Sequence, residues 1–290
     1  MLSLKNKDVL TPDFCVIGAG SGGLSFAAGA VQMGASVVLL ESHKMGGDCL
    51  NYGCVPSKAL IAAAKSFYEN KRGEKFGWHS ESTKVDFKKL RAHIKSVIAE
   101  IAPNDSVERF EKLGVTVIKA EGQFIDKDTV KAGSKLIKAK RFIISTGSSA
   151  FIPNIAGLDS VDYLTNESIF DIQALPKRLV VIGGGPIGVE IAQAFSRLGS
   201  NVIILEAFKA LPKDDPEIIS KLKYILKEEG IDLKEEVSIT EIKKSARSIE
   251  IHYKINGKQH IAKASHLLIA AGRRPNLSAL NLDAADIEYT

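Results

Sequence analysis

The sequence predicts an α/β fold built on two βαβ units, and three observations carry that prediction. A short apolar run, Phe14-Cys15-Val16-Ile17, leads into Gly18-Ala19-Gly20-Ser21-Gly22-Gly23, an apolar helical stretch to Met33, Gly34, then Val37-Val38-Leu39-Leu40 and Glu41. The same order recurs as Leu179-Val180-Val181-Ile182, Gly183-Gly184-Gly185-Pro186-Ile187-Gly188, a helical stretch to Leu198, Gly199, Val202-Ile203-Ile204-Leu205 and Glu206. Finally, the spacing is identical: Gly18, Gly20, Gly23, Gly34 and Glu41 reappear 165 residues later as Gly183, Gly185, Gly188, Gly199 and Glu206. One GxGxxG alone is a weak signal, because any α/β protein can carry a glycine-rich turn. Two complete units, each closed by a glutamate, are far harder to reach by chance.

Each part of the unit has a mechanical reason. The first glycine permits a tight strand-to-helix turn, the second lets backbone approach a pyrophosphate, and the third lets helix and strand pack closely. The helix N-terminus offers free N–H groups and a positive dipole end to phosphates. Gly34 and Gly199 fall where a helix ends, a position that favours a left-handed residue. The closing glutamate can accept both ribose hydroxyls, and its charge repels a 2′-phosphate. Glu206 is therefore expected to favour NADH over NADPH.

Composition excludes several other classes. The 290 residues are 45% apolar, 25% charged and 7% aromatic, enough apolar content for two cores. A net charge of +5 is modest, and no basic stripe with interleaved aromatics is present. Lys71 with Arg72 and the basic run at 138–141 read as solvated surface, so no nucleic-acid partner is expected. Residues 1–13 are polar, with no apolar core of a secretory signal. No run reaches the ~18 apolar residues of a membrane span; the nearest, 179–195, is interrupted by its glycines and Glu190. Three cysteines do not suit a secreted disulfide scaffold, so a reducing cytoplasm is expected.

Between the repeats lies Gly46-Gly47-Asp48-Cys49-Leu50-Asn51-Tyr52-Gly53-Cys54-Val55-Pro56-Ser57-Lys58, followed by a helical stretch from Ala59. Five residues of ideal helix rise ~7.5 Å, more than the usual Cα separation across a disulfide. If the cysteines pair, the chain between them must bend, and Gly53 supplies freedom for that. Pro56 suits a first helical turn, which puts Cys54 at the helix's positive end, where a thiolate is stabilised. The plain alternative is two unconnected cysteines. Zinc would need two further ligands, and none of the six histidines forms a matching pair, so no metal is expected. Cys15, inside an apolar strand, reads as packing.

The segment 46–58 resembles the redox motif of the class I pyridine nucleotide-disulfide oxidoreductases, a group that includes dihydrolipoamide dehydrogenase and mercuric reductase. Ser145-Thr146-Gly147-Ser148 resembles the family's segment where the chain leaves the first flavin lobe. Ala271-Gly272-Arg273-Arg274-Pro275-Asn276 resembles the one where it returns. The resemblance covers essentially the whole chain and implies two Rossmann-like FAD/NAD(P)-binding domains, the second inserted in the first. Their expected extents are 1–150 for the FAD domain with its redox disulfide, 151–275 for the NAD domain, and 276–290 for the return.

It further implies an NAD(P)-dependent flavoprotein oxidoreductase acting in cell redox homeostasis. Electrons would pass between NAD(H), FAD, a Cys49–Cys54 redox-active disulfide and a dithiol or disulfide substrate. NADP is the less favoured nucleotide. Cys54 would be the thiol nearest the flavin and Cys49 the interchange thiol. Gly18, Gly20, Gly23, Glu41 and Gly47 would hold FAD, with Gly122, Thr146, Gly147 and Gly272 contributing. Gly183, Gly185, Gly188 and Glu206 would hold the nicotinamide dinucleotide. Lys58 and Glu190 match the pair set near the flavin's reactive nitrogen.

Family members form homodimers and continue beyond the return segment with a dimerisation domain carrying a His-Glu acid/base pair. The sequence stops at Thr290, and His43, His79, His93, His252, His260 and His266 do not sit in that context. The chain alone is therefore expected to be incomplete as an enzyme. The readings this leaves open are an incomplete copy, half of a split enzyme, a fragment that only binds FAD and NAD, or a mercuric-reductase-like flavoprotein with another acceptor.

Overall fold

The computed structural model describes residues 9–77, 84–246 and 248–289; His79 and the first eight residues of the polar N-terminal stretch lie outside them. The chain divides into two compact units. One comprises Met1–Cys54, Ile98–Ser149 and Arg274–Thr290, and the other Val55–Val97 and Ala150–Arg273. In sequence, the second unit interrupts the first.

The first unit is organised by the strand Phe14–Ile17. It pairs in parallel with Val37–Leu40 on one side and Arg141–Ile144 on the other, and Val37–Leu40 pairs in parallel with Thr116–Ile118. Parallel strands covered on both faces read as unbroken apolar runs, which explains why the sequence here shows no alternation. Successive side chains nonetheless enter different cores. Cys15, Ile17, Val38 and Leu40 pack against Phe124, Val130 and Ile137 of a second sheet. Val16 and Leu39 pack against Leu24, Ala27, Phe110 and Val115 on the opposite face. That second sheet runs in the order Val9–Leu10, Lys135–Lys138, Thr129–Ala132, Gly122–Asp126.

The second unit repeats the plan. Arg178–Ile182 is flanked in parallel by Asn201–Leu205 and His266–Ile269, and Asn201–Leu205 pairs in parallel with Asp232–Lys234. The register is conserved across the 165-residue repeat: Phe14 faces Val37 and Ile17 faces Leu40, while Leu179 faces Val202 and Ile182 faces Leu205. An antiparallel sheet of Ser238–Ser245, Ser248–Ile255 and Lys258–Ala264 covers one face. Its Ile242, Ile251, Tyr253 and Ala262 share a core with Val180, Ile182 and Leu267.

Two long helices add to the second unit. Cys54–Arg72 and Phe87–Ile101 lie largely within it, tied by side-chain contacts to the helix Pro186–Arg197. Arg197 stands over the Tyr68 ring at 5.1 Å, and Phe87 packs beside Phe195 with ring centroids 6.2 Å apart. Arg197 is itself clamped by Glu229 through two hydrogen bonds of 2.8 and 2.7 Å. Among the described residues, no helix is long and apolar enough to cross a membrane.

Candidate functional site

Both glycine loops are built by backbone approaching backbone. A Cβ on Gly23 would fall 1.9 Å from the Gly18 carbonyl oxygen, and one on Gly188 would fall 2.1 Å from that of Gly183. The third glycine of each loop thus packs on the first. The first glycine has a positive φ, +104° at Gly18 and +116° at Gly183. A Cβ there would strike the carbonyl oxygen of Ser145 or Ala270, the residue just after the neighbouring strand. The second glycine differs in kind. Nothing lies within 4 Å of a Cβ built on Gly185, so that face of the second loop is open, while one on Gly20 meets only the Gly47 Cα at 3.8 Å.

Each loop caps a 12-residue helix, Ser21–Gln32 after Gly20 and Pro186–Arg197 after Gly185. The first-turn N–H groups of these helices have no helical acceptor and favour an anion. Gly34 and Gly199 end the helices in the left-handed region, with φ of +84° and +107°.

The closing glutamates are held alike. Glu41 accepts from the backbone N–H of Ala19 and of His43, both at 2.7 Å. Glu206 accepts from the N–H of Gly184 at 2.5 Å and of Phe208 at 2.8 Å. Each carboxylate oxygen keeps a lone pair for a further donor. An open loop, a helix N-terminus and an oriented carboxylate are the elements that a dinucleotide's pyrophosphate and ribose require, so the residues present fit one dinucleotide in each unit.

The two cysteines sit on consecutive helices. Cys49 is in Gly47–Asn51, and Cys54 is the first residue of Cys54–Arg72. The break at Tyr52 and Gly53 lets the chain fold back, and the two sulfur groups come within hydrogen-bonding reach. Gly53 serves this by close approach rather than by a left-handed backbone. It is absent from the positive-φ glycines, and a Cβ on it would press on the Asp48 carbonyl and carboxylate at 3.0 Å.

Cys54 is exposed and Cys49 half-buried. Burial first, then the neighbouring Cys54 sulfur, push the Cys49 thiol up to about 11. Cys15 is fully buried, and that burial pushes its thiol up to about 12, as expected of a packing residue.

The cysteine segment is fastened to the first glycine loop. Gly46 N–H donates to the Ala19 carbonyl at 2.9 Å, and a Cβ on Gly47 would fall 2.7 Å from the Gly20 Cα. Gly46 and Gly47 both have positive φ, +80° and +55°. Sequence reasoning named Gly47 but not Gly46, and missed Asp105 altogether. A Cβ on Gly46 would fall 2.9 Å from Asp105 Oδ2, a contact that no local pattern announces.

Lys58 Nζ donates to Glu190 Oε2 at 2.7 Å within the second unit, so these two predicted site residues meet. Thr146 and Gly147 are engaged by Asn276, whose side-chain amide donates to the Thr146 carbonyl at 3.1 Å and whose N–H donates to that of Gly147 at 3.0 Å. Gly272 accepts from the Phe151 N–H at 2.9 Å, with φ of +120°. A Cβ on Gly122 would fall 2.7 Å from a Leu40 methyl and 3.3 Å from methyls of Ile17 and Val130.

Comparison with known proteins agrees with this geometry. Residues 12–290 match the family described as pyridine nucleotide-disulphide oxidoreductase. The chain is 38% identical over 288 residues to a mercuric reductase of Bacillus cereus, covering 99% of this chain and 46% of that protein. It is 33% identical over 285 residues to a dihydrolipoyl dehydrogenase of Staphylococcus aureus, covering 96% and 60%. The solved structure of the HOCl-induced flavoprotein disulfide reductase RclA from Escherichia coli superposes with a TM-score of 0.83 at 25% identity, covering 96% of this chain and 60% of that one. The chain thus spans about half the length of the curated relatives it matches. With a family match that runs through both glycine loops and the cysteine segment, the chain belongs to the pyridine nucleotide-disulphide oxidoreductases.

Proposed function

We propose that this chain carries the nucleotide-binding and dithiol portion of a cytoplasmic FAD-dependent enzyme. It would move electrons between NAD(H) and a dithiol or disulfide substrate through Cys49 and Cys54, in the manner of a dihydrolipoyl dehydrogenase. The observation that carries the reading is the meeting of the Cys49 and Cys54 sulfurs on a segment fastened to the first glycine loop. FAD, when bound, supplies the two-electron chemistry between nicotinamide and disulfide.

The residues divide the work. Gly18, Gly20, Gly23 and Glu41 bind the ADP half of FAD, with Gly47, Gly122, Thr146 and Gly147 within 1–150 and Gly272, just before the return at 276–290, completing that site. Gly183, Gly185, Gly188 and Glu206 bind the pyridine nucleotide within 151–275. The Glu206 carboxylate accepts ribose hydroxyls and repels a 2′-phosphate, which favours NADH. Lys58, held by Glu190, presents a positive charge one turn along the helix from Cys54. Cys54 stands at that helix's N-terminus, where the positive dipole end favours a thiolate. Cys49 exchanges with the substrate.

Anaerobic titration with NADH and NADPH tests the reading, on the FAD-loaded chain and on Cys49→Ser, Cys54→Ser and Glu206→Ala. The native chain should take up more electrons than either cysteine variant and should prefer NADH. Glu206→Ala should weaken NADH and leave FAD affinity nearly unchanged. Equal electron uptake by native chain and cysteine variants would sink the disulfide role. Equal loss of both cofactors in Glu206→Ala would sink the assignment of the second loop. The 38% identity to a mercuric reductase favours a second acceptor, Hg(II), which the same titration can include as oxidant.

A further inference from the structure

Opening a disulfide with two electrons and one proton leaves one thiol and one thiolate. Which sulfur keeps the charge decides which can serve as the neutral partner and which as the anion. The two sulfurs here are neighbours, so the choice rests on their surroundings.

One carboxylate bears on that choice from a distant part of the chain. Asp105 ends the short 3₁₀ turn Ala102–Asp105, and its Oδ2 stands against Gly46, the N-cap of the helix Gly47–Asn51 that carries Cys49. Any side chain at Gly46 would collide with it, as well as with Leu50. Among the described residues, none donates a hydrogen bond to the Asp105 carboxylate, so its charge is not tied up in a local bond. Its approach sets a carboxylate at the start of the helix that carries Cys49.

The other charged and titratable groups around the pair can be named. Asp48 is on the same short helix, its carboxylate against Gly53. Lys44 is committed to the Tyr52 ring, with its ammonium 4.9 Å from the centroid. Arg109 faces Asp105, but its guanidinium donates to the Asn104 carbonyl at 2.6 Å and stands over Phe110. Cys54 is the remaining titratable neighbour.

We infer that Asp105 is a positioning residue for the dithiol: its carboxylate disfavours negative charge on Cys49, so that the charge of the reduced pair rests on Cys54. The inference rests on the redox reading of the pair proposed above. One further fact agrees with it. Asp105 adds to the effects that raise the Cys49 thiol, after burial and Cys54. Burial holds the Asp105 carboxyl itself above its ordinary value, against the pull of Arg109.

The test is pulsed alkylation of the phosphine-reduced full chain with iodoacetamide from neutral to alkaline pH. Mass spectrometry resolves the rates at Cys49 and Cys54. Removing the charge with Asp105→Asn should move the Cys49 profile to lower pH by a few tenths to about one unit, with a smaller change at Cys54. Asp105→Glu should stay near the native profile. Asp105→Ser, which also removes the charge, should repeat the shift and covers the case in which the amide variant folds poorly. An unmoved Cys49 profile in folded Asp105→Asn or Asp105→Ser, or equal shifts at both cysteines, would overturn the inference. Mapping a Cys49–Cys54 disulfide in the oxidised native chain is scored separately. Failure there removes the redox reading while leaving the alkylation result to judge Asp105.

Discussion

Lys58 and Glu190 stand 132 residues apart in the chain, yet Lys58 Nζ lies 2.7 Å from Glu190 Oε2. Lys58 comes from the helix that begins at Cys54, and Glu190 from the helix that follows the second glycine loop. The side chains remain 61% and 44% exposed. A pair so exposed contributes about 0–1 kcal/mol to stability.

That modest contribution separates a structural role from a functional one. Glu190→Gln should leave the thermal midpoint nearly unchanged while slowing reduction of the FAD-loaded chain by NADH on the order of tenfold to 10²-fold. Stopped-flow absorbance alongside thermal melts checks both. A lowered midpoint with an unchanged rate would reduce the pair to a surface bridge.

The two glycines of the second loop should behave oppositely. Gly188→Ala pushes a methyl to within 2.1 Å of the Gly183 carbonyl oxygen and should cost about 1–3 kcal/mol or more in stability. Gly185→Ala meets nothing within 4 Å, and its φ of −76° and ψ of 179° suit alanine. Its stability should stay within about 0.5 kcal/mol of the native chain, while NADH affinity falls because the methyl occupies the open face of the loop. Native-like NADH binding by Gly185→Ala would show that the pyrophosphate does not pass there.

Acid sensitivity should trace in part to Asp13. Its carboxylate accepts from Lys140 Nζ at 2.7 Å, Ser36 Oγ at 2.7 Å and Ser36 N–H at 2.9 Å. Lys140 first, and then Ser36, hold it far below the usual carboxylate range. A folded-state value below the unfolded one means the stabilisation is present above about pH 4 and is lost as pH falls through the depressed value. Asp13→Asn should therefore melt below the native chain at neutral pH, and the gap should narrow in acid. A gap independent of pH would show that the carboxylate's charge is not what matters.

Much of this was legible because the sequence repeats itself. The positions Gly18, Gly23 and Glu41 have strict backbone demands, and the same demands recur at Gly183, Gly188 and Glu206. Cys49 and Cys54 were legible as a pair through the resemblance of segment 46–58, where they flank Gly53, to a known redox motif. The reason for that glycine was not. Gly53 reads as a flexible point, whereas the structure shows a close approach, a Cβ there pressing on the Asp48 carbonyl and carboxylate at 3.0 Å. Nor did the sequence show that a side chain at Gly122 would meet methyls of Leu40, Ile17 and Val130.

The sequence by itself determined the two strand–loop–helix–strand units, their glycine loops and their left-handed helix ends, because each depends on contacts within a few dozen residues and on period or spacing. Tertiary structure alone decided that Asp105 stands over the start of the Cys49 helix and that Gly47 packs on Gly20. Those contacts join residues separated by intervening sheets and helices. Electrostatic and van der Waals contacts act over a few ångströms of space whatever the separation along the chain, so no periodicity records them.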